Sequence, residues 1–328
     1  MSRVAEYYKP GKGEEVECCL CPRNCTIAPG KAGFCRHREN EGGILTAALY
    51  GRAATLALDP IEKKPLYHFH PGSEILSVGT VGCNLACAFC QNWQLVDGKD
   101  PLQETTPEEL VRAAGKCNSI GVAYTYNEPL VWFEFIKDAA AAVHEAGMVN
   151  VLVTNGYLEP EPFDELLPLI DAMNIDLKGI RDSFYRKFSK GAVEPVKRNI
   201  IAAASKTHVE LTNLIVTGAN DTEEEITELV DFVASVDREI PLHLSRYFPH
   251  HRYNLPPTDV EFMKRAWVIA RSKLSYVYLG NVATDGESDT HCPSCGNLLV
   301  ERSGYRVRIR GLDGAVCRKC GFKARFVI

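Results

Sequence analysis

The sequence predicts an α/β protein whose core is a partial (β/α)6-type TIM barrel. Short apolar runs alternate with amphipathic helical stretches through residues 71–286, the pattern of a parallel sheet with helical crossovers. Six or seven such units fit a partial barrel better than a full eight-unit one. A doubly wound open sheet is the alternative, which periodicity alone leaves open. Cysteine clusters occur towards both ends of the chain, so Cys-rich segments are expected to flank the core.

The expected organisation has three parts. They are a Cys-rich N-terminal region (1–70), the barrel (71–286) and a zinc-ribbon-like C-terminal domain (287–328). Seven apolar runs are the candidate strands of the barrel: 75–81, 122–126, 149–154, 172–177, 209–216, 242–246 and 276–279. Thr106-Pro107 and Thr222-Glu223, each followed by acidic residues, are typical helix starts. In either fold, a ligand would bind at the carboxyl ends of the strands.

Composition and charge indicate a globular protein of the cytoplasm. The 328 residues are 45% hydrophobic and 24% charged, no apolar run approaches the ~20 residues of a membrane span, and residues 1–6 lack the apolar stretch of a secretory signal. Net charge is −5, but residues 292–328 contain eight basic and two acidic residues. A basic tail on an acidic body argues against a nucleic-acid binder that uses the whole chain. In a cytosolic protein, thirteen largely clustered cysteines indicate metal ligands or catalytic thiols.

A compact group of three cysteines follows the first candidate barrel strand. Cys83, Cys87 and Cys90 have the spacing C-x3-C-x2-C, with no fourth cysteine nearby. Most iron–sulfur clusters have four thiolate ligands, so three thiolates on a four-iron cluster would leave one iron open to chelate a substrate. The alternatives are a zinc site, which would need a fourth ligand, and free buried thiols. The spacing and the position at a strand end favour the cluster.

The same segment resembles the signature of the radical SAM superfamily, with the aromatic residue Phe89 before the last cysteine. The stretch 59–69, Asp-Pro-Ile-Glu-Lys-Lys-Pro-Leu-Tyr-His-Phe, which runs on to Cys90-Gln91-Asn92, resembles a narrower group. That group is the AmmeMemoRadiSam-system radical SAM proteins, relatives of the pyruvate formate-lyase activating enzymes. The likeness spans about residues 18–283.

The resemblance implies a [4Fe–4S] cluster on Cys83, Cys87 and Cys90, with S-adenosylmethionine (SAM) bound at the open iron and its adenine against the backbone at Phe89. It implies reductive cleavage of SAM to methionine and a 5′-deoxyadenosyl radical, which removes a hydrogen atom from a substrate. A reductant protein such as ferredoxin or flavodoxin would then be a partner.

Polar residues at three further strand ends are candidates to bind SAM. Glu128 aligns with the glutamate of the family's Gly-Gly-Glu motif, although the glycines are missing, and the alternative is a helix cap formed by Asn127 and Glu128. Asn155 lies in a Thr-Asn-Gly segment that resembles the family's but is also an ordinary turn. Asp176 and Lys178 share a strand face, either near SAM or as a structural ion pair.

Two cysteine sets flank the barrel. We define the N-terminal set as Cys18, Cys21, Cys25 and Cys35; it would hold zinc, a second iron–sulfur cluster or no metal at all, with a slight preference for zinc or a bare structural role. At the other end, two C-x2-C knuckles, each followed by glycine, are typical of a zinc ribbon formed by Cys292, Cys295, Cys317 and Cys320.

Three functional hypotheses follow. The first is a radical enzyme, which either installs a glycyl radical on a protein or alters another substrate. The second is a metal-stabilised binding module without catalysis. The third is an RNA-modifying radical enzyme recruited through Arg306, Arg308 and Arg310, which alternate on one ribbon strand. Nucleic acid is not favoured, because only Tyr305 supplies an aromatic side chain there.

Overall fold

The computed structural model describes residues 3–98, 101–283 and 285–328. Seven short strands in the N-terminal region form small antiparallel sheets, in which β6 pairs with β1 and β5, and β3 pairs with β2 and β4. These strands are β1 (Arg3–Val4), β2 (Tyr8–Pro10), β3 (Val16–Cys18), β4 (Thr26–Ile27), β5 (Arg38–Glu41), β6 (Ile44–Ala47) and β7 (Arg52–Ala53).

An eight-stranded sheet forms the core, in the order β16-β15-β14-β13-β12-β11-β9-β8. The seven strands from β9 onward are parallel, and β8 pairs antiparallel with β9. The short β10 pairs with β7 instead. The eight strands of the sheet are β8 (Thr55–Pro60), β9 (Glu74–Gly79), β11 (Gly121–Tyr124), β12 (Val149–Thr154), β13 (Ala172–Asp176), β14 (His208–Ile215), β15 (Leu242–Arg246) and β16 (Val277–Gly280), and β10 outside it is Gln103–Glu104. The α/β class and the mostly parallel sheet are therefore confirmed.

Helices connect the parallel strands, and the longer ones pack against one face of the sheet. They are α1 (Trp93–Asp97), α2 (Pro107–Lys116), α3 (Phe133–Glu145), α4 (Pro160–Leu166), α5 (Asp182–Phe184), α6 (Glu194–Ala204), α7 (Glu223–Val236) and α8 (Val260–Arg271). Thr106 and Thr222 cap α2 and α7 as predicted, and each hydroxyl accepts a hydrogen bond from a backbone N–H of the first turn. The helix-covered face carries the main apolar core, which includes Leu76, Leu152 and Leu244.

The other face of the sheet is covered near its amino edge by the segment that follows β8. Ile61, Leu66 and Phe69 pack with strand residues of that face, such as Ile75 and Val151, in a second core. Side chains alternate across a strand, so this core lies on the face opposite the helices. The segment therefore closes one end of that face, and the carboxyl end is left for a ligand.

The C-terminal segment forms a small antiparallel unit. Its strands are β17 (Thr290–His291), β18 (Leu298–Ser303), β19 (Arg306–Ile309), β20 (Leu312–Asp313) and β21 (Val316–Cys317). Gly296 and Gly321 have φ of 69° and 77°, and each N–H donates to the carbonyl of the first cysteine in its knuckle, at 2.9 Å. Glycine adopts this left-handed conformation without strain, which explains the residue after each knuckle.

Candidate active site

Cys83, Cys87 and Cys90, here the central triad, lie in the loop that leaves β9 at the carboxyl edge of the sheet. Gly82 begins this loop with φ of 81°, and a Cβ there would collide with the carbonyl oxygen of Cys35. Glycine is therefore required by both its backbone conformation and the close approach of the N-terminal region. The loop is thus held against a neighbouring cysteine segment.

The surroundings of the central triad suit thiolate ligands of a metal cluster. Burial raises the pKa of all three thiols, and the Cys87 thiol raises the pKa of both others further. The Cys83 sulfur accepts hydrogen bonds from the backbone N–H of Leu85 at 3.3 Å and from Asn155 Nδ2 at 3.7 Å. Three half-buried cysteines whose thiolates would repel one another favour a cation that takes up the negative charge, and N–H donors stabilise the ligated sulfur. The residues therefore fit the cluster that the spacing predicts.

Asn127 fixes the start of this loop. Its Oδ1 accepts from the backbone N–H of Thr80 at 3.1 Å, and its Nδ2 donates to the carbonyls of Val81 and Gly82 at 3.1 and 3.0 Å. The sequence interpretation gave Asn127 only a helix-capping role. Asn127 follows β11, which is the neighbour of β9 in the sheet, and this position could have indicated a contact with the loop after β9.

Glu128 is buried and makes three hydrogen bonds inside the protein. Oε1 accepts from the N–H of Leu130 at 3.0 Å and from the Thr154 hydroxyl at 2.6 Å, and Oε2 accepts from the N–H of Asn155 at 2.7 Å. It caps the short 3-10 helix Pro129–Trp132, so the helix cap is formed by Glu128 and not by Asn127. Burial raises its pKa to about 7, against the lowering effect of these donors. The carboxylate thus joins the ends of β11 and β12 and lacks a full counter-charge.

Asn155 connects Glu128 with the central triad. Its backbone N–H donates to Glu128, while its Nδ2 donates to Asn84 Oδ1 at 2.8 Å and to the Cys83 sulfur at 3.7 Å. Asn84, which follows Cys83, donates in turn to the carbonyl of Tyr157 at 2.6 Å. The ends of three adjacent strands therefore meet at Cys83.

Asp176 and Lys178 form an ion pair of 2.9 Å at the end of β13, as their shared strand face predicts. The side chains are 35% and 20% exposed, so the pair faces an opening and not a sealed core. The pKa of Lys178 is raised, because the attraction of Asp176 and of the Cys87 thiol outweighs desolvation by burial. A cation beside Cys87 favours the thiolate form of a ligand there.

Unpaired hydroxyls line the same edge. Among the described residues, the side-chain oxygens of Thr80, after β9, and Thr217, after β14, are buried without a hydrogen-bond partner. Buried polar groups normally have a hydrogen-bond partner, so both are candidates to contact a ligand.

Phe89 is 3% exposed, and its ring centre lies 5.9 Å from that of Phe184.

Two buried histidines of the sheet region lie elsewhere. His243 Nε2 is 2.7 Å from Glu210 Oε2, and His68 hydrogen-bonds the carbonyl of Arg325 and the Tyr278 hydroxyl. His243 and Glu210 belong to the amino-terminal halves of their strands. These are satisfied core side chains, at the opposite end from the central triad.

The two flanking cysteine sets differ in compactness. In the ribbon, Cys292 and Cys320 have sulfurs 3.6 Å apart, and those of Cys295 and Cys317 are 3.8 Å apart. All four ligand atoms lie within 4.8 Å of one another, so the ribbon is consistent with a metal site. Cys18, Cys21, Cys25 and Cys35 instead line one enclosed pocket.

Comparisons with known proteins agree with this geometry. A profile described as the radical SAM superfamily matches residues 77–233. An uncharacterized protein of Methanocaldococcus jannaschii is 43% identical, with 99% of this chain and 100% of that protein aligned. The pyruvate formate-lyase-activating enzyme of Staphylococcus epidermidis is 24% identical over 57% of this chain and 85% of its own length. The structure of Streptococcus suis SuiB bound to S-adenosylmethionine aligns with a TM-score of 0.51 at 15% identity, over 63% of this chain and 52% of that one.

The chain belongs to the radical SAM superfamily and is an enzyme. Within the superfamily it is related to the pyruvate formate-lyase activating enzymes. The resemblance drawn from the sequence is therefore confirmed, and membership implies a [4Fe–4S] cluster and SAM. In the described ranges, none of the helices has both the length and the apolar character that crossing a membrane requires.

Proposed function

We propose that Cys83, Cys87 and Cys90 bind a [4Fe–4S] cluster and that the carboxyl edge of the sheet holds SAM beside it. When bound, the cluster supplies the electron that cleaves SAM to methionine and a 5′-deoxyadenosyl radical, which abstracts a hydrogen atom from the substrate. The observation that carries the proposal is Asn155, which contacts both the Cys83 sulfur and Glu128.

The strand-end residues bind and orient the ligand in this proposal. Glu128, an uncompensated carboxylate with a pKa of about 7, suits the positive amino group of SAM. Asp176 and Lys178 offer both signs of charge at the opening, and Thr80 and Thr217 offer hydroxyls that have no protein partner in the described chain. The backbone at Phe89 would contact the adenine.

Replacing Glu128 with alanine is expected to lower both stability and SAM affinity. The Thr154 hydroxyl and the Asn155 N–H would lose their buried acceptor, and each unsatisfied group costs about 1–3 kcal/mol. Urea unfolding and equilibrium binding of SAM measure the two effects. Glu145→Ala, an exposed change at the end of α3, is the control. A Glu128→Ala protein with wild-type stability and SAM affinity would contradict this role.

A metal-stabilised binding module without catalysis is less well supported, because a binding platform does not need polar side chains converging on Cys83.

Glycyl-radical activation is supported by the related activating enzymes, whose similarity covers 57% of this chain. RNA modification has weaker support: Arg306 and Arg308 are exposed, and Arg310 pairs with Glu301 at 2.6 Å. RNA binding that disappears on deletion of residues 287–328 would favour it.

The proposed function is tested by the formation of 5′-deoxyadenosine. Anaerobically reconstituted wild-type protein, reduced with dithionite, is expected to release 5′-deoxyadenosine from SAM. The Cys83/Cys87/Cys90→Ala variant is expected to release no more than a protein-free control. Cys117→Ala, which removes the thiol at the end of α2, should keep wild-type activity. A wild-type protein with a bound cluster and SAM that forms no 5′-deoxyadenosine would overturn the proposal.

Two further assignments belong to this proposal. Zinc at the ribbon is supported by the compact sulfur geometry and by the two knuckles. The relation to activating enzymes supports a one-electron reductant protein such as ferredoxin or flavodoxin as the partner.

A further inference from the structure

The four cysteines of the N-terminal set surround one enclosed pocket, although Cys18 and Cys35 lie 17 residues apart in the chain. Apolar side chains, among them Leu20, Ile27 and Val131, complete the lining. The neighbouring Cys19 does not line it, and its sulfur contacts the carbonyl of Glu17 at 3.6 Å instead. The fold has therefore selected four of the five cysteines in this region for a common site.

The spacing of these sulfurs distinguishes between the ligands that four cysteines bind. A tetrahedral zinc ion, with Zn–S of about 2.3 Å, draws its sulfurs to about 3.8 Å from one another. The ribbon shows this geometry, with sulfur pairs at 3.6 and 3.8 Å. Across the described chain, the ribbon is the one group of three or more potential ligand atoms that lie within 4.8 Å of one another. In the described chain, no three sulfurs of the N-terminal set, nor the three of the central triad, lie within 4.8 Å of one another, so both sets are more open than the ribbon.

A buried hydrogen-bond donor at the pocket suits an anionic occupant. Arg38 lines the pocket and is 1% exposed. It forms a buried ion pair with Glu134 and donates to the carbonyl of Glu6 at 2.5 Å, and among the described residues its buried Nε has no hydrogen-bond partner. A tetrathiolate cluster carries net negative charge, and the Nε–H of Arg38 would offer that charge a hydrogen bond.

We propose that Cys18, Cys21, Cys25 and Cys35 bind a second, fully ligated [4Fe–4S] cluster. Four thiolates leave no iron open, so this cluster would carry electrons and would not bind SAM. The proposal departs from the slight preference for zinc or a bare structural role that the sequence gave, since C-x2-C-x3-C spacing alone does not fix the distance between sulfurs.

The pocket adjoins the central triad directly. The carbonyl of Cys35 packs against Gly82, next to Cys83, and Asn84 lines the pocket while it accepts from Asn155. Arg23 joins the two loops by donating to the carbonyl of Asn84. Resting on the proposed function, the second cluster accepts one electron from a reductant protein and passes it to the cluster on the central triad. That electron ends on SAM as its sulfur–carbon bond breaks, and the second cluster returns to its oxidised state.

Metal analysis of the Cys83/Cys87/Cys90→Ala variant tests the site without relying on SAM chemistry. Wild-type protein should contain roughly eight irons and eight sulfides per chain, and this variant roughly four of each. The remaining cluster should give an electron paramagnetic resonance signal, when reduced, that SAM does not alter. The combined Cys18/Cys21/Cys25/Cys35→Ala variant should lose the same amount of iron, and Cys19→Ala none. Zinc in place of iron in the triad variant, or no metal beyond the ribbon zinc, would overturn the proposal.

The electron-transfer role has its own measurement. Cys18→Ala/Cys35→Ala is expected to slow 5′-deoxyadenosine formation about tenfold or more with ferredoxin as donor, whereas Cys19→Ala keeps the wild-type rate. An unchanged rate would overturn the electron-transfer role. If wild-type protein holds both clusters and forms no 5′-deoxyadenosine, the proposed function fails while the second cluster stands.

Discussion

Replacing Glu210 with alanine is expected to lower the free energy of unfolding by several kcal/mol, because each buried donor left without an acceptor costs about 1–3 kcal/mol. The carboxylate is 0% exposed, and four N–H groups donate to it. They are the backbone N–H groups of Tyr67 and His68, at 3.0 and 2.7 Å, and the Nε2 atoms of His208 and His243, at 3.0 and 2.7 Å. Alanine would leave all four donors buried without an acceptor.

The same carboxylate makes stability depend on pH. Burial by itself would raise the pKa of Glu210, but the hydrogen bonds from His208 and His243 outweigh it and hold the pKa well below its usual value. Because the pKa of Glu210 is lower in the folded protein than in the unfolded chain, where it is about 4.5, ionised Glu210 stabilises the fold at any pH above 4.5. This stabilisation is lost as the pH falls from 4.5 towards the pKa of Glu210 in the folded protein. Wild-type protein should therefore lose stability below pH 4.5 more steeply than a Glu210→Gln protein.

Urea unfolding at pH 7 and at pH 4 measures both effects. Glu261→Ala is a matched control, because Glu261 is exposed and pairs with exposed Lys264, so a change of about 0–1 kcal/mol is expected. If Glu210→Ala unfolds within 1 kcal/mol of wild type, the four hydrogen bonds are not a major source of stability. Because Glu210 lies far along β14 from the central triad, Glu210→Gln should retain SAM cleavage.

The position of the central triad could be predicted from the sequence, whereas the contacts of Glu210 could not. Each predicted parallel strand is present in the structure. These strands could be predicted because a short apolar run between helical stretches can be recognised within a few residues of sequence. The position of Cys83, Cys87 and Cys90 at a strand end followed from the same signals. Alternation along a strand puts His243 on one face of β15, but its depth in the sheet depends on the register between strands. Glu210 is its acidic partner only in the folded sheet.

Other features were not accessible because they depend on contacts between distant segments. Strand β8 is antiparallel and lies within the predicted Cys-rich region, yet it pairs with β9 along six residues. The role of Asn127 arises because β11 is next to β9 in the sheet. Cys35 lines the same pocket as Cys18 of β3, so the arrangement of the N-terminal sulfurs depends on the fold of the chain between them. The spacing of the cysteines in the sequence does not specify that fold.

Removal of the zinc proposed for the ribbon is expected to unfold the C-terminal segment while the sheet remains folded. The ribbon has a buried apolar core of its own that is too small to be stable alone: Cys292, Leu299, Val300, Leu312, Cys317 and Ala324. In structural zinc sites of this kind, the free energy of metal binding is the free energy of folding. Zinc chelation, or Cys292→Ser, should therefore convert residues 290–328 into a protease-sensitive segment.

This unfolding should also uncover the closed end of the sheet. Phe326 stacks on His68 with ring centres 4.1 Å apart, the N–H of Val327 donates to the His68 carbonyl at 2.8 Å, and Arg302 donates to the carbonyl of Tyr67 at 2.6 Å. Loss of these contacts should lower the melting temperature of the whole protein, because the second core beneath His68 becomes accessible to water.

Limited proteolysis and thermal unfolding, with and without a zinc chelator, check this expectation. Cys117→Ala serves as the thiol control, since Cys117 lies at the end of α2 and outside the three proposed metal sites. Iron content should be unchanged by zinc loss, because the central triad and the N-terminal set lie away from the ribbon. If residues 290–328 resist protease equally well without metal, the ribbon is held by its contacts with Tyr67 and His68 and does not depend on zinc.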